Sequence, residues 1–273
     1  MLNWNVRVVD DESEFSNFLI LFKEAFPKRS ISFFSSILSN LSLHRGNLII
    51  LETKDKQPVG GVIIYKVDGY DFDCWAPSYF FVLDEFRHLS IPFLIKAQNC
   101  FSGRVINVTP SDAMCSILEA MRYKRLTSGS KIFFNLGINF SFFKKTHIKK
   151  LSLKEVDLSK NNIDINFLSR KDLKWIPIVY KNKKVLLCFK KTSWFGIPLQ
   201  ILVYCEGVDK KNIRCVLDCI NKSLIGLSLI VYPRVTKSVY KYNLIAKKFR
   251  VYGDFDNKSM LYSILGSEVT EIL

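Results

Sequence analysis

A chain of 273 residues with 48% hydrophobic content and 22 phenylalanines has apolar material for one large core or two smaller ones, which excludes disorder over most of its length. The formal net charge of +15 lies wholly in the second half, because residues 1–130 hold 14 Lys/Arg against 14 Asp/Glu. So sharp a step predicts two units with different surfaces, the second facing something anionic or simply carrying a soluble basic face.

No basic leader followed by an apolar stretch opens the chain. The longest apolar run, residues 223–232, is far short of the ~20 residues that span a bilayer. Both features predict a soluble cytoplasmic protein. The seven cysteines, at 74, 100, 115, 188, 205, 215 and 219, form no CxxC pair and read as free thiols in a reducing compartment. Cys215 and Cys219 lack ligand partners nearby, and His44, His88 and His147 have no ligand spacing, so no metal is expected.

Residues 6–9 read as a short strand. Asp11 or Ser13 then caps a helix with Phe15, Phe18, Leu19, Phe22 and Phe26 on one face, and Pro27 ends it. Ser30 opens a second helix with Ile31, Phe34, Ile37, Leu38 and Leu41 on one side. Residues 47–53 and 58–67 form an antiparallel hairpin across Lys54-Asp55-Lys56-Gln57. The aromatic run 75–83 is a strand covered on both faces. Asp84-Glu85-Phe86-Arg87-His88-Leu89 follows as a turn, and Ser90 caps a helix reaching residue 101, with Pro92 in its first turn. Such a turn offers backbone N–H groups at the positive end of a helix, an anion site. Residues 105–108 are a strand of the parallel type, and Thr109-Pro110-Ser111 leads into a helix with Met114, Ile117, Leu118 and Met121 on one face.

The stretch Val82-Leu83-Asp84-Glu85-Phe86-Arg87-His88-Leu89-Ser90-Ile91-Pro92 resembles the acyl-CoA pyrophosphate loop of the GNAT acyltransferase superfamily. In that family an Arg or Gln, two residues, a Gly, one residue and a Gly or Ala join the central strand to the next helix. Arg87 matches the first position; Ser90 and Pro92 replace the two small residues. Ser116-Ile117-Leu118-Glu119-Ala120-Met121-Arg122-Tyr123 resembles the family's closing helix, with Arg122-Tyr123 where Gly-Phe is usual. The resemblance covers residues 6–128, and the element order agrees with it. It implies an α/β, GNAT-like mixed sheet flanked by helices.

The second half echoes the first. Residues 184–191 and 199–204 look like paired strands, Val208-Asp209 opens a helix with Ile213, Val216, Leu217 and Ile220, residues 224–232 are a strand, 238–248 a helix and 250–252 a short strand. This pattern recurs at an offset of roughly 120 residues, which predicts two tandem GNAT-like units, residues 1–130 binding acyl-CoA and 131–273 forming a basic, degenerate second domain. The second turn, Glu206-Gly207-Val208-Asp209, carries two acids and no basic anchor, so only the first unit is expected to hold the coenzyme.

The resemblance implies acetyl-CoA or another acyl-CoA as co-substrate, with no metal. Phe81, Val82 and Leu83 would meet the pantetheine arm, and the amides of His88, Leu89, Ser90 and Ile91, with the Arg87 charge and the Ser90 hydroxyl, would grip the pyrophosphate; Pro92 has no N–H to give. The same stretch also reads as an ordinary strand-to-helix turn with an exposed Arg. The family's usual Tyr acid falls on Leu118 and its usual Asn on Ser111, so that match is missing. Asp71 and Asp73, Asn107 and Tyr123 are the candidates for proton transfer and orientation, against a solvated turn, strand-end capping and core packing. No Ser-His-Asp or Cys-His arrangement is evident. The Ser-x-Pro loop resembles that of acyltransferases of bacterial surface-polysaccharide synthesis, which implies an anionic acceptor such as a nucleotide-linked or lipid-linked amino sugar. Peripheral membrane contact stays open. Lys144, Lys145, Lys149 and Lys150 around Phe142-Phe143, and Lys181, Lys183 and Lys184, are the basic groups; no recognised nucleic-acid motif accompanies them. The alternative is a non-catalytic GNAT-fold protein whose basic half binds nucleic acid or a membrane surface. Oligomeric state is not legible.

Overall fold

The computed structural model describes residues 4–43, 45–108, 110–135, 148–158, 163–194, 196–209, 212–220, 228–235, 250–255 and 262–263. Its contacts divide the chain into two compact units. Among the described residues, the first takes those within Met1–Lys66 and Phe72–Asn107, and the second those within Val67–Asp71 and Val108–Leu265. No helix of the described residues is long and apolar enough to cross a membrane.

The first unit is built on β1 (Trp4–Val9), β2 (Gly46–Thr53), β3 (Pro58–Val67), β4 (Cys74–Val82) and β5 (Arg104–Val108), lying side by side in that order. β1, β2 and β3 are antiparallel neighbours, and β4 pairs with β5 in parallel. The alternation of β2 sets the two core layers. Leu48 and Ile50 face α1 (Phe15–Ala25) and α2 (Ile31–Leu38), whereas Ile49 and Leu51 face α3 (Ser90–Gln98). Phe18 and Phe22, one turn apart on α1, meet Phe34 and Leu38 of α2 in the first layer. Phe22 and Phe34 have no exposed surface, so truncating either to alanine would cost roughly 3–5 kcal/mol. Asp11 caps a short 3-10 turn (Glu12–Glu14) that leads into α1, and Ser30 caps α2 by accepting from the Phe33 N–H.

The second unit opens with α4 (Asp112–Ala120), capped by Ser111, and β6 (Lys124–Arg125). A larger sheet follows: β7 (Thr127–Asn135), β8 (Ile148–Lys150), β9 (Leu173–Tyr180), β10 (Lys183–Trp194), β11 (Ile197–Glu206) and β12 (Ser228–Val235), in the spatial order β7-β12-β11-β10-β9-β8. α5 (Ile165–Ser169) precedes β9, and α6 (Ile213–Ile220) carries the crossover from β11 to its parallel neighbour β12. β13 (Val251–Gly253) pairs with β6, and β14 (Tyr262–Ser263) with β11. The expected pattern of hairpin, helix and parallel strand is therefore present in both units. The expected helix at 238–248, the strand's first residues at 224–227, and Phe142, Phe143, Lys144 and Lys145 lie outside the described residues.

Three local readings need correction. Ser90 does not cap α3: it is the helix's first residue, and no side chain caps the N-cap position, Leu89. The turn before it is a 3-10 helix, Asp84–Leu89, because Asp84 and Glu85 favour a helix N-terminus there. α3 ends at Gln98 rather than 101. The strand β9 was missed because Lys174 and Pro177 interrupt its pattern. Pro177 is tolerated where β8 gives out, just past the pair Lys150↔Ile178. Lys181 and Asn182, both at positive φ (48° and 63°), then turn the chain into β10.

Candidate active site

The site follows from the way β4 leaves β5. Their parallel ladder has two pairs, Cys74↔Arg104 and Trp75↔Val105. Pro77 comes next but one and has no N–H for a ladder. Tyr79 then takes a left-handed conformation, φ 51°. Trp75 and Phe80 both pack on the α3 layer although five residues apart, and Tyr79 and Phe81 pack on the α1–α2 layer. An odd separation on one face requires an extra residue in the strand, so β4 is bulged near Tyr79. The two strands are joined at their beginnings and part beyond them. Among the described residues no strand pairs with that edge of β4 after Trp75.

The closed end of this wedge is firmly tied. Trp75 donates its indole N–H to the Ser102 carbonyl at 2.8 Å and stacks on Phe101 at 4.5 Å. The Arg104 N–H donates to the Asp73 carbonyl at 2.8 Å. Asp73 also holds Lys66 in an ion pair of 2.6 Å. The expected acid is thus at the start of β4, six residues before the bulge, a strand length of about 20 Å, and its carboxylate is engaged.

The open end leads to α3. Leu83 donates its N–H to the Val59 carbonyl of β3 at 2.9 Å, after which the chain turns into the 3-10 helix. Leu89 is buried against Phe93 and Ala97, while Arg87 and His88 face solvent. The Arg87 guanidinium pairs with Asp84 at 2.7 Å, both side chains largely exposed (73% and 84%), so the pair adds little stability and the guanidinium is available to a stronger anion. The Ser90 N–H is donated to the Arg87 carbonyl, which removes one of the four expected amides; Ser90 itself is half-buried and Ile91 exposed. Phe81 is buried against Phe22 and Phe26, and Val82 is half-buried on the α3 layer. Asn107 is buried on β5, beyond the last β4 pair.

Tyr123 belongs to the second unit. It is half-buried against Cys115, Leu118 and Tyr252, and its N–H donates to the Leu118 carbonyl while Arg122 donates to Glu119. This closes α4 in a Schellman turn, with Arg122 at φ 63° where glycine is favoured. Arg122-Tyr123 therefore has the backbone of the Gly-Phe end it replaces. Leu118, at the usual Tyr position, is fully buried.

In the second unit the same strand geometry recurs, but its wedge is filled. β11 is bulged between Leu202 and Tyr204, as its shifted register on β10 records. β12 pairs with Leu199, Gln200 and Ile201 only, and β14 then occupies the same edge at Tyr204 and Cys205. The thiol of Cys205 is pushed up to about 12, by burial first and Glu206 second, and is inert as a nucleophile. Gly207, φ 79°, has its Cβ direction blocked by the Lys184 carbonyl. Among the described residues no group of His, Cys, Asp and Glu is placed to hold a metal.

Neither a protein-family model nor a curated protein matches the chain. Solved structures do. A GCN5-related N-acetyltransferase from Anabaena variabilis aligns over 91% of this chain and 72% of its own, with a TM-score of 0.51 and 8% identity. One from Kribbella flavida aligns over 92% and 71% (TM-score 0.49, 10% identity), and a probable N-acyltransferase from Enterococcus faecalis over 93% and 72% (0.49, 11%). At such identities the Anabaena likeness speaks for architecture: this chain has the fold of the GCN5-related N-acetyltransferases, the GNAT fold.

Proposed function

We propose that the protein is an acyltransferase that takes an acyl group, acetyl in the first instance, from acyl-CoA and delivers it to an amine. One observation carries the reading: beyond Trp75 no strand pairs with that side of β4 among the described residues, and the chain leads from there through the short 3-10 helix Asp84–Leu89 to the N-terminus of α3. An extended ligand with amides along its length can add to such an edge as a strand would, and a diphosphate at its end meets the positive pole of a helix. Phe81, Val82 and Leu83 supply the edge. Arg87, the Ser90 hydroxyl and the Ile91 amide supply the anion site, the His88 and Leu89 amides lying within the 3-10 helix, whose N–H groups are donated three residues back. The filled wedge of β11 supports one coenzyme per chain.

The co-substrate brings an activated carbonyl. The chain must hold it, keep the attacking amine neutral and support the oxyanion. Within the first unit Asn107 is the proposed orienting group, having no basic nitrogen. Asp73 is the weaker candidate, held by Lys66. The acceptor we infer is an anionic, amino-sugar-bearing compound, nucleotide-linked or lipid-linked, made where surface polysaccharide is assembled; the Ser-x-Pro loop supports it. A second reading, a binding protein that keeps the fold without transfer, draws on the committed Ser90 amide.

Equilibrium binding of acetyl-CoA separates them. Arg87→Glu should weaken binding by about 30-fold or more, since it replaces attraction with repulsion at the diphosphate. Equal affinity in the two proteins would remove the loop from the coenzyme site.

A further inference from the structure

We propose that the second unit carries a phosphate-binding site of its own, formed by Lys174 and Lys191 with Lys150 adding positive charge from further along the same face, for a small phosphorylated compound. Register places the three on one face of the sheet. Lys150 of β8 lies opposite Ile178 of β9. Lys174 of β9 lies opposite Phe189 of β10, two residues from Lys191. Directly opposite residues share a face, as do residues two apart, so the apolar centre of that face (Ile178, Leu187, Phe189) has lysines at its rim.

Lys149, Lys183, Lys184 and Lys190 of this sheet have acidic neighbours. Lys190, on the opposite face, faces Asp172, which Arg170 also holds at 2.7 Å. Lys183 lies 3.8 Å from Asp209. Glu155, held below the usual carboxylate range by its hydrogen bonds to Ser152, also feels Lys149 and Lys184. Lys150, Lys174 and Lys191 have no such carboxylate among the described residues. Lys174 is half-buried, and its ammonium is pushed down by burial and then by the charges of Lys191 and Lys150. Three cations gathered without a counter-charge destabilise one another unless an anion joins them.

A second observation points the same way. Gln200 of β11 lies opposite Lys191, and its Oε1 is buried with no hydrogen-bond donor among the described residues. Buried polar atoms are rarely left so. A phosphate monoester, or a hydroxyl beside it, brings both the negative oxygens for the lysines and a proton for this amide. Lys174 and Lys191, near the start of β9, with Gln200 opposite Lys191, form a compact group that suits a small ligand better than a polymer, which would need a continuous basic track. The site is independent of coenzyme binding.

Calorimetric titration of the intact protein with inorganic pyrophosphate tests it. In an R87E background, which removes the first unit's anion site, K174Q/K191Q should bind at least tenfold more weakly than R87E alone, whereas adding K149Q, on the other face, should leave the affinity of R87E unchanged. In parallel, NMR titration of the Lys174 ammonium should show its pKa rising when pyrophosphate is present. Unchanged affinity in the double variant, an equal loss in K149Q, or affinity that appears only with oligonucleotides and grows with their length would overturn the proposal.

Discussion

Replacing Ser90 by glutamate is expected to weaken acetyl-CoA binding about a hundredfold while leaving the protein as stable as before, or slightly more so. The two effects have opposite signs because they come from one field. A carboxylate in the first turn of α3 complements the helix dipole, worth about 0.3–1 kcal/mol. The same carboxylate stands where the diphosphate must sit. A unit charge some 4 Å from another costs about 4 kcal/mol at an effective dielectric of 20, and screening by salt leaves on the order of a hundredfold loss in affinity. Ser90→Ala removes only the hydroxyl and should cost a few-fold. Calorimetric titration for affinity and a thermal melt for stability, run on both variants, check the pair of effects. A glutamate variant that binds normally would place the coenzyme elsewhere; one that melts far earlier would mean Ser90 is buried too deeply for the argument.

The second large effect concerns the hinge of the wedge. Gly103 has φ 121°, a conformation open to glycine alone, and a Cβ there would collide with the Asp73 carbonyl and stand 2.9 Å from the Asp73 Cβ. The obstacle is backbone, already committed to the Arg104 N–H. Gly103→Ala should therefore cost about 3 kcal/mol or more, combining strain and overcrowding. For a chain of this size that is a fall of at least about 6 °C in the melting of the first unit, readable by scanning calorimetry. Coenzyme affinity should fall with it, because the β4–β5 junction fixes the angle at which the strands part. A melt within 1 °C of wild type would show that the turn is not built this way.

Much of the first unit was legible before its structure. The paired phenylalanines of α1, the hairpin across Lys54-Asp55-Lys56-Gln57 and the alternation of β2 are local signals, and packing follows them. The bulge at Tyr79 was not legible, since a left-handed tyrosine leaves no mark of the kind a glycine leaves. It is the feature that opens the wedge. The loop was placed correctly, but its backbone was not: Asp84 and Glu85 start helical hydrogen bonding six residues before Ser90, which takes the Ser90 amide out of the expected set. In the second unit, β9 was hidden by Pro177, and the two-residue β14 is too short for any pattern; only its pairing with β11 reveals that the second wedge is filled. The charge step at residue 130 is a property of surface residues, whereas compactness groups α4 and β6 with the second unit.

The most direct measurement is amide hydrogen exchange on the intact protein with and without saturating acetyl-CoA. Protection should rise along residues 79–93, the bulged half of β4 and the entry to α3, and stay unchanged along 203–213 at the counterpart corner of the second unit. No change at 79–93, or protection at 203–213 instead, would contradict the assignment of the coenzyme to the first unit's open strand edge.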